Sequence, residues 1–268
     1  MSIFTTSDGL RLAYAVDDFT DPWAPQETVV LLHAAMGNRR RFHAWVPALA
    51  RRYRVVRPDA RGHGESEAPG PEQALDVARQ ALDVVELLDR LGIQRAHVSG
   101  SSAGGYVAQQ LAIAHPGRVG RLALFSSTPG LAWARPEAGV AAWPATVRAR
   151  GVDGLLRDTL SARVDPLRVP PGLVDWMLAE ARGMDSAFTA RLLETMARLD
   201  LADRLPEIRA RTLVVVPGAD TVCRPEGYAA LRRIPDHREV VYEGLPHNIT
   251  NGAPERCAAD LLGFLAET

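Results

Sequence analysis

A serine hydroxyl attacks an acyl carbon only when a base removes its proton, so a serine set in a structured turn near a histidine is the first feature to seek. The segment "HVSGSSAGGYVAQQLA" (97–112) carries two adjacent serines in a G-x-S-x-G frame, Gly100-Ser101-Ser102-Ala103-Gly104. The frame follows the apolar run "AHVSGS" and opens directly into the helical pattern "GGYVAQQLAIAH", which makes a strand-turn-helix junction. Strand and helix approach each other at such a turn, and side chains at Gly100 and Gly104 would clash there. The frame therefore selects Ser102 as the nucleophile and leaves Ser101 as its variable neighbour. A helix N-terminus favours negative charge, so the Ala103 N–H is expected to stabilise an oxyanion. The second donor should come from the loop "LLHAAMGN", with the Ala35 N–H as first choice and Ala34 or Met36 as alternatives. His33 reads as the organiser of that loop rather than a base, and His33, Ala34 and Met36 are expected to border the substrate.

Composition excludes several other chemistries. All 31 basic residues are arginine, so no lysine is available for a Schiff base. No G-x-G-x-x-G follows the first strand and no cluster has metal-ligand spacing, so neither a cofactor nor a metal is expected. Cys223 and Cys257 are far apart and read as free thiols in a reducing compartment. A formal net charge of −1 and a hydrophobic fraction of 47% point to a globular protein with no global field for nucleic acid. No apolar run approaches the roughly 20 residues of a membrane span, and "MSIFTTSDGLRLAYAV" lacks a basic region followed by an apolar stretch. The expected setting is cytoplasmic, with a small-molecule substrate as partner and no membrane. The sequence leaves the oligomeric state open, a homodimer included. Abundant Ala, Arg, Gly and Pro point to a GC-rich bacterial source.

Short β-branched runs alternate with amphipathic stretches: "TVVLLHA", "YRVVRPD", "RAHVSGS", "RLALFSS", "TLVVVPG" and "REVVYEG" read as strands. Residues 73–91, 105–115 and 254–266 read as helices, with Leu75, Ala78, Leu82, Val85 and Leu88 on one face of the first. The N-terminus reads as a hairpin turning at Ser7-Asp8-Gly9. Near-continuous apolar strands separated by helices make a mostly parallel, doubly wound α/β sheet, covered on both faces. Between Pro129 and Pro206 the rhythm fails and several short helices are expected, forming a cap (129–206) over a core of 1–128 and 207–268. Its Trp133, Trp143, Trp176, Met177, Met184 and Phe188 either line a substrate cavity or pack the cap onto the core.

"LLHAAMGN", "PDARGHGES", "VSGSSAGG", "RLPEIRARTLVVVPG" and "EGLPHN" occur in an order that resembles α/β-hydrolase fold enzymes. Residues 147–166, followed by "LDLADRLPEIRARTLVVV", are similar to the cap and cap exit of 3-oxoadipate enol-lactonases, although "SARVDP" replaces a tryptophan-containing segment. The resemblance implies an α/β-hydrolase fold with a helical cap inserted before the penultimate strand. It also implies chain order nucleophile, acid, histidine, which makes His247 the base. The acid usually occupies a G-x-x-D-x-x-x-P pattern; here Gly218 and Pro225 fit it, Thr221 takes the acid position and Asp220 stands one residue early. Asp220 is the expected third member. Asp59, Arg61, His63 and Ser66 are expected to hold a loop beside the site, and His43, His97, His115 and His237 to have packing or surface roles. The implied reaction is hydrolysis of an ester, lactone or thioester through an acyl-serine. One alternative is a non-hydrolytic lyase or elimination reaction of natural-product biosynthesis, suggested by the displaced aspartate and the glycine missing after His33. Another is a non-catalytic ligand-binding protein on the same scaffold. An anionic lactone would need a cap-side arginine, with Arg135, Arg163, Arg168 and Arg191 as candidates.

Overall fold

The computed structural model describes residues 2–267. Eight strands, β1 (Ser2–Thr5), β2 (Arg11–Asp17), β3 (Thr28–Leu32), β4 (Arg54–Pro58), β5 (Ala96–Ser101), β6 (Val119–Phe125), β7 (Thr212–Pro217) and β8 (His237–Tyr242), form one sheet. Its order is β1-β2-β4-β3-β5-β6-β7-β8. Pairs β1–β2 and β2–β4 are antiparallel, and every pairing from β4 through β3 to β8 is parallel. The helices are α1 (Val46–Leu49), α2 (Val77–Arg90), α3 (Ala103–Ala114), α4 (Trp143–Asp158), α5 (Leu160–Arg163), α6 (Leu173–Arg182), α7 (Ser186–Met196), α8 (Pro225–Ala230), α9 (Ile249–Gly252) and α10 (Pro254–Ala266). None is long and apolar enough to cross a membrane.

Strand alternation distributes the core. Val30 and Leu32 of β3, Val56 of β4 and Val214 of β7 pack with α2 and α3 on one face. Val29, Leu31, Val55, Leu213 and Val215 point the other way, onto Phe42, Trp45 and Leu49 and onto Leu261 and Phe264 of α10. A strand with both faces covered must be apolar at every position, which is why these runs show no polar alternation. At the N-terminus Gly9 (φ +82°) makes the expected turn, with its N–H on the Thr6 carbonyl at 2.9 Å.

Element boundaries differ from the sequence reading where caps decide them. Helix α2 starts at Val77 because the Asp76 side chain accepts from the Arg79 N–H. Leu75 thus lies before the helix and packs with Tyr106 and Phe188. Between β6 and β7 the elements are helical, α4 to α7 with short 3-10 turns, and the cap is inserted there, before the penultimate strand. It is tied down by its backbone: the Ala162 carbonyl accepts from the His247 N–H at 3.2 Å, and the Arg163 carbonyl from the Asn248 N–H at 2.7 Å.

The backbones of β3, β5 and α3 come into close contact beside Ser102. A Cβ on Gly104 would stand 2.2 Å from the Leu32 carbonyl oxygen, and one on Gly100 would stand 2.4 Å from the Gly104 carbonyl oxygen. Both obstacles are backbone and cannot swing aside. Gly104→Ala is expected to destabilise the protein by about 3 kcal/mol, read as the midpoint of urea unfolding. Gly117→Ala, whose Cβ meets nothing within 4 Å, should stay within about 0.5 kcal/mol of wild type. Equal midpoints for the two variants would contradict the close approach.

Candidate active site

Strand β5 lies between β3 and β6, so its C-terminal end opens onto the middle of the sheet edge. There Ser102 takes φ +49° and ψ −114°, a conformation that L-residues rarely adopt. The strained turn is held on both sides: the Ser102 N–H donates to the Phe125 carbonyl at 2.9 Å, and the Ser127 hydroxyl donates to the Ser102 carbonyl at 2.9 Å. Ser102 is half-buried and presents its hydroxyl, while Ser101 is buried with its Oγ 3.1 Å from Thr250 Oγ1.

His247 follows β8 and is buried. Its Nε2 lies 3.0 Å from Ser102 Oγ and its Nδ1 lies 2.8 Å from Asp220 Oδ2. A carboxylate accepts only, so Nδ1 carries the proton and Nε2 is free to accept one from the serine. Asp220 is also buried. Its Oδ1 accepts from the Val222 and Cys223 N–H groups at 2.7 and 3.1 Å, and its Oδ2 accepts from the Tyr228 hydroxyl as well as His247. Burial pushes this carboxyl up, but its interaction with His247 and these hydrogen bonds outweigh burial and hold it below the usual carboxylate range. Thr221, on the position where a G-x-x-D pattern has its acid, is exposed. The turn closes from the Asp220 N–H onto the Pro217 carbonyl, and the carboxylate bends back to cap the next two N–H groups. That capping aims residue 220, rather than 221, at the histidine.

Ala34, Ala35, Met36 and Ala103 line the same cavity as Ser102 and His247. Among the described residues the N–H groups of Ala35 and Ala103 have no protein acceptor, so both are free to serve an oxyanion. Met36 adopts φ +58°, which turns the chain back after Ala35. An adjoining apolar cavity shares Ala34, Ala35, Ala103, Tyr106 and Met196 with this one and extends towards Leu32 and Val107. Of the three tryptophans, Trp143 lines the serine's cavity. Trp133 lies elsewhere, its Nε1 donating to Asp200 at 2.9 Å and its ring under Arg224. Trp176 packs against His43 and the guanidinium of Arg41. Sequence reasoning could not separate these three, because each is an isolated aromatic in a segment whose apolar residues mark no single facing side.

His33, His63 and His97 have structural partners. His33 Nε2 accepts from the Ala60 N–H at 3.0 Å and its Nδ1 donates to the Ala34 carbonyl at 2.9 Å, so this ring joins the loop after β3 to the loop after β4. His63 donates from Nδ1 to the Arg61 carbonyl at 3.0 Å and meets Phe188 of α7 edge-on. Arg61 makes a two-pronged pair with Asp83 at 2.6 and 2.7 Å, and Asp59 accepts from the N–H groups of Arg39 and Glu65. Ser66 donates to the Asp59 carbonyl and accepts from Ala13. His97 Nδ1 accepts from the Arg121 N–H at 3.1 Å, at the far end of β5 from the serine.

Asp220, Cys223 and His247 bring possible metal-ligand atoms within 4.8 Å of one another. The carboxylate and the imidazole are already committed to each other, and burial pushes the Cys223 thiol up to about 12. A protonated thiol is a poor ligand, so the group reads as a hydrogen-bonded cluster rather than a metal site.

A family model for the alpha/beta hydrolase fold matches residues 27–250. A Caulobacter segnis protein named for carbamate hydrolysis is 31% identical over 261 residues, which span 88% of this chain and 91% of that protein. The pimeloyl-[acyl-carrier protein] methyl ester esterase of Aromatoleum aromaticum is 31% identical over 246 residues, 86% of this chain and 94% of the esterase. Among solved structures, the enol-lactonase from Burkholderia xenovorans superposes with a TM-score of 0.89 at 24% identity, over 99% of this chain and all of that one; at this identity the likeness speaks to the fold.

Burial pushes His63 down to about 3, and burial also lowers His33. In the unfolded chain both titrate near about 6.5. Below that pH the unfolded state binds protons that the folded state refuses, so stability is full above about 6.5 and falls as pH drops towards 3. His63→Asn, which keeps a donor for the Arg61 carbonyl, should make the fall shallower by up to about 1.4 kcal/mol per pH unit between pH 6 and 4. Urea midpoints across that range test this; an unchanged slope would contradict a neutral, buried His63.

Proposed function

The chain belongs to the alpha/beta hydrolase fold family, and we propose that it hydrolyses an ester or lactone of a small molecule through an acyl intermediate on Ser102. The observation that carries this reading is the hydrogen-bonded line from Ser102 Oγ through His247 to Asp220, at 3.0 and 2.8 Å. In the first half-reaction His247 Nε2 takes the hydroxyl proton as Oγ attacks the carbonyl carbon. Negative charge gathers on the carbonyl oxygen, where the Ala35 and Ala103 N–H groups stabilise it by hydrogen bonding. His247 then passes its proton to the departing oxygen. A water deprotonated by His247 repeats the attack on the acyl carbon and releases the acid. Asp220 holds the Nδ1–H tautomer and stabilises the imidazolium in both halves.

The relative named for carbamate hydrolysis suggests a second substrate class for the same steps, with a carbamoyl group carried on Ser102. The lyase reading rested on a displaced aspartate and a missing glycine. The hydrogen bond from His247 to Asp220 removes the first of these reasons. Ala34 in the glycine position does not favour elimination by itself.

Intact-mass analysis after a fluorophosphonate should give a single adduct on wild type and none on Ser102→Ala. The substitution should lower ester turnover by about 10³-fold or more. Hydrolysis of p-nitrophenyl acetate in ¹⁸O-labelled water should place one labelled oxygen in the released acetate. Loss of p-nitrophenol without label in the acid, or an adduct that survives Ser102→Ala, would refute the acyl-serine route.

A further inference from the structure

The sequence offers four arginines for a cap-side anion, and their bonding separates them. Arg191 donates to the Pro69 and Gly70 carbonyls at 2.7 and 2.8 Å, and Arg135 donates to the Cys223 carbonyl at 3.1 Å. Arg168 is exposed and paired with Asp165 at 3.2 Å. Arg163 differs from all three. It is only 6% exposed and lines the cavity of Ser102 and His247. Its Nε donates to Thr159 Oγ1 at 2.9 Å, and its guanidinium stacks 5.3 Å from the Trp143 ring centroid. Among the described residues neither terminal nitrogen has a protein acceptor, and no carboxylate pairs with it. Asp220 is close enough to be felt electrostatically, but its oxygens are taken by Val222, Cys223, Tyr228 and His247.

A second buried arginine borders the adjoining space. Arg41 lines a cavity that shares Ala34, Ala35, Met36 and Arg163 with the serine's cavity. It is 7% exposed; its Nη2 donates to the Met177 carbonyl at 3.3 Å, while Nε and Nη1 lack a hydrogen bond, Nε standing 3.7 Å from Glu180. Buried guanidinium N–H groups left unmatched are costly, a cost that a bound anion removes by supplying two parallel acceptors. Backbone hydrogen bonds from His247 and Asn248 to the Ala162 and Arg163 carbonyls fix the arginine relative to the histidine.

We propose that Arg163, with Arg41 beside it, binds a carboxylate carried by the substrate, so that the enzyme favours esters or lactones bearing a second, anionic end. This rests on the acyl-serine reading for turnover, though not for binding. The guanidinium forks onto the carboxylate while the acyl carbon sits at Ser102, and the distance between them sets the preferred chain length.

The test compares p-nitrophenyl butyrate with the mono-p-nitrophenyl esters of succinate, glutarate and adipate. In wild type at least one half-ester should exceed the butyrate in kcat/KM by tenfold or more. Arg163→Met should lower that ratio at least 30-fold, and Arg163→Lys should restore part of it; Arg163→Gln replaces the Met variant if that one fails to fold. Calorimetric titration of monomethyl glutarate into Ser102→Ala and into Ser102→Ala/Arg163→Met reads the site without turnover, and affinity should fall tenfold or more with the arginine gone. Ratios near one in wild type, or equal affinity with and without Arg163, would overturn the carboxylate site. Arginine-dependent binding together with no hydrolysis of any ester would sustain this site and sink the acyl-serine reading instead.

Discussion

The backbone of α3 runs so close to the end of β3 that only glycine fits at residue 104, and the active geometry depends on that contact. Because Leu32 and Gly104 touch through backbone, the loop after β3 is carried against the first turn of α3. Ala35 and Ala103 therefore face one cavity with free N–H groups, and Ser102 is held at a positive φ between them. The strain at Ser102 is sustained by bonds to Phe125 and Ser127 of the neighbouring strand end. Pre-set donors of this kind need no rearrangement as charge develops, which is the main way such a site accelerates acyl transfer.

Electrostatics around this frame sort by whether a buried group has a partner. Asp220 is saturated by four hydrogen bonds and stays ionised; His33 and His63 are buried and stay neutral; the Arg61–Asp83 pair neutralises itself. Among the described residues Arg163 and Arg41 are the exceptions, buried cations with N–H groups left over; Arg163 borders the cavity of Ser102 and Arg41 the one adjoining it. The imbalance lies where a substrate would sit.

The sheet and the elbow were legible because they obey local rules. Apolar runs of five to seven residues mark strands covered on both faces, and glycines two before and two after Ser102 mark the close approach. The order of the loops carried His247. What stayed hidden depends on side-chain direction. Asp220 looked misplaced because sequence spacing counts residues, whereas the turn is closed by the carboxylate capping the N–H groups of Val222 and Cys223, which turns Thr221 outward. The tryptophans and arginines of the cap could not be ranked, since short helices in an irregular segment give no periodicity from which to derive a facing side. Arg163 had one faint signal, its place inside "SARVDP", the segment that departs from the enol-lactonase pattern.

The central claim is that Asp220, one residue away from the usual position, is the carboxylate that orients His247 towards Ser102. The most direct measurement is kcat/KM for p-nitrophenyl acetate in Asp220→Asn, alone and combined with Thr221→Asp. Asp220→Asn should lose about 10³- to 10⁴-fold while remaining folded, and Thr221→Asp should not rescue it, because that side chain is exposed. Activity within tenfold of wild type in Asp220→Asn, or recovery on adding Thr221→Asp, would contradict the account.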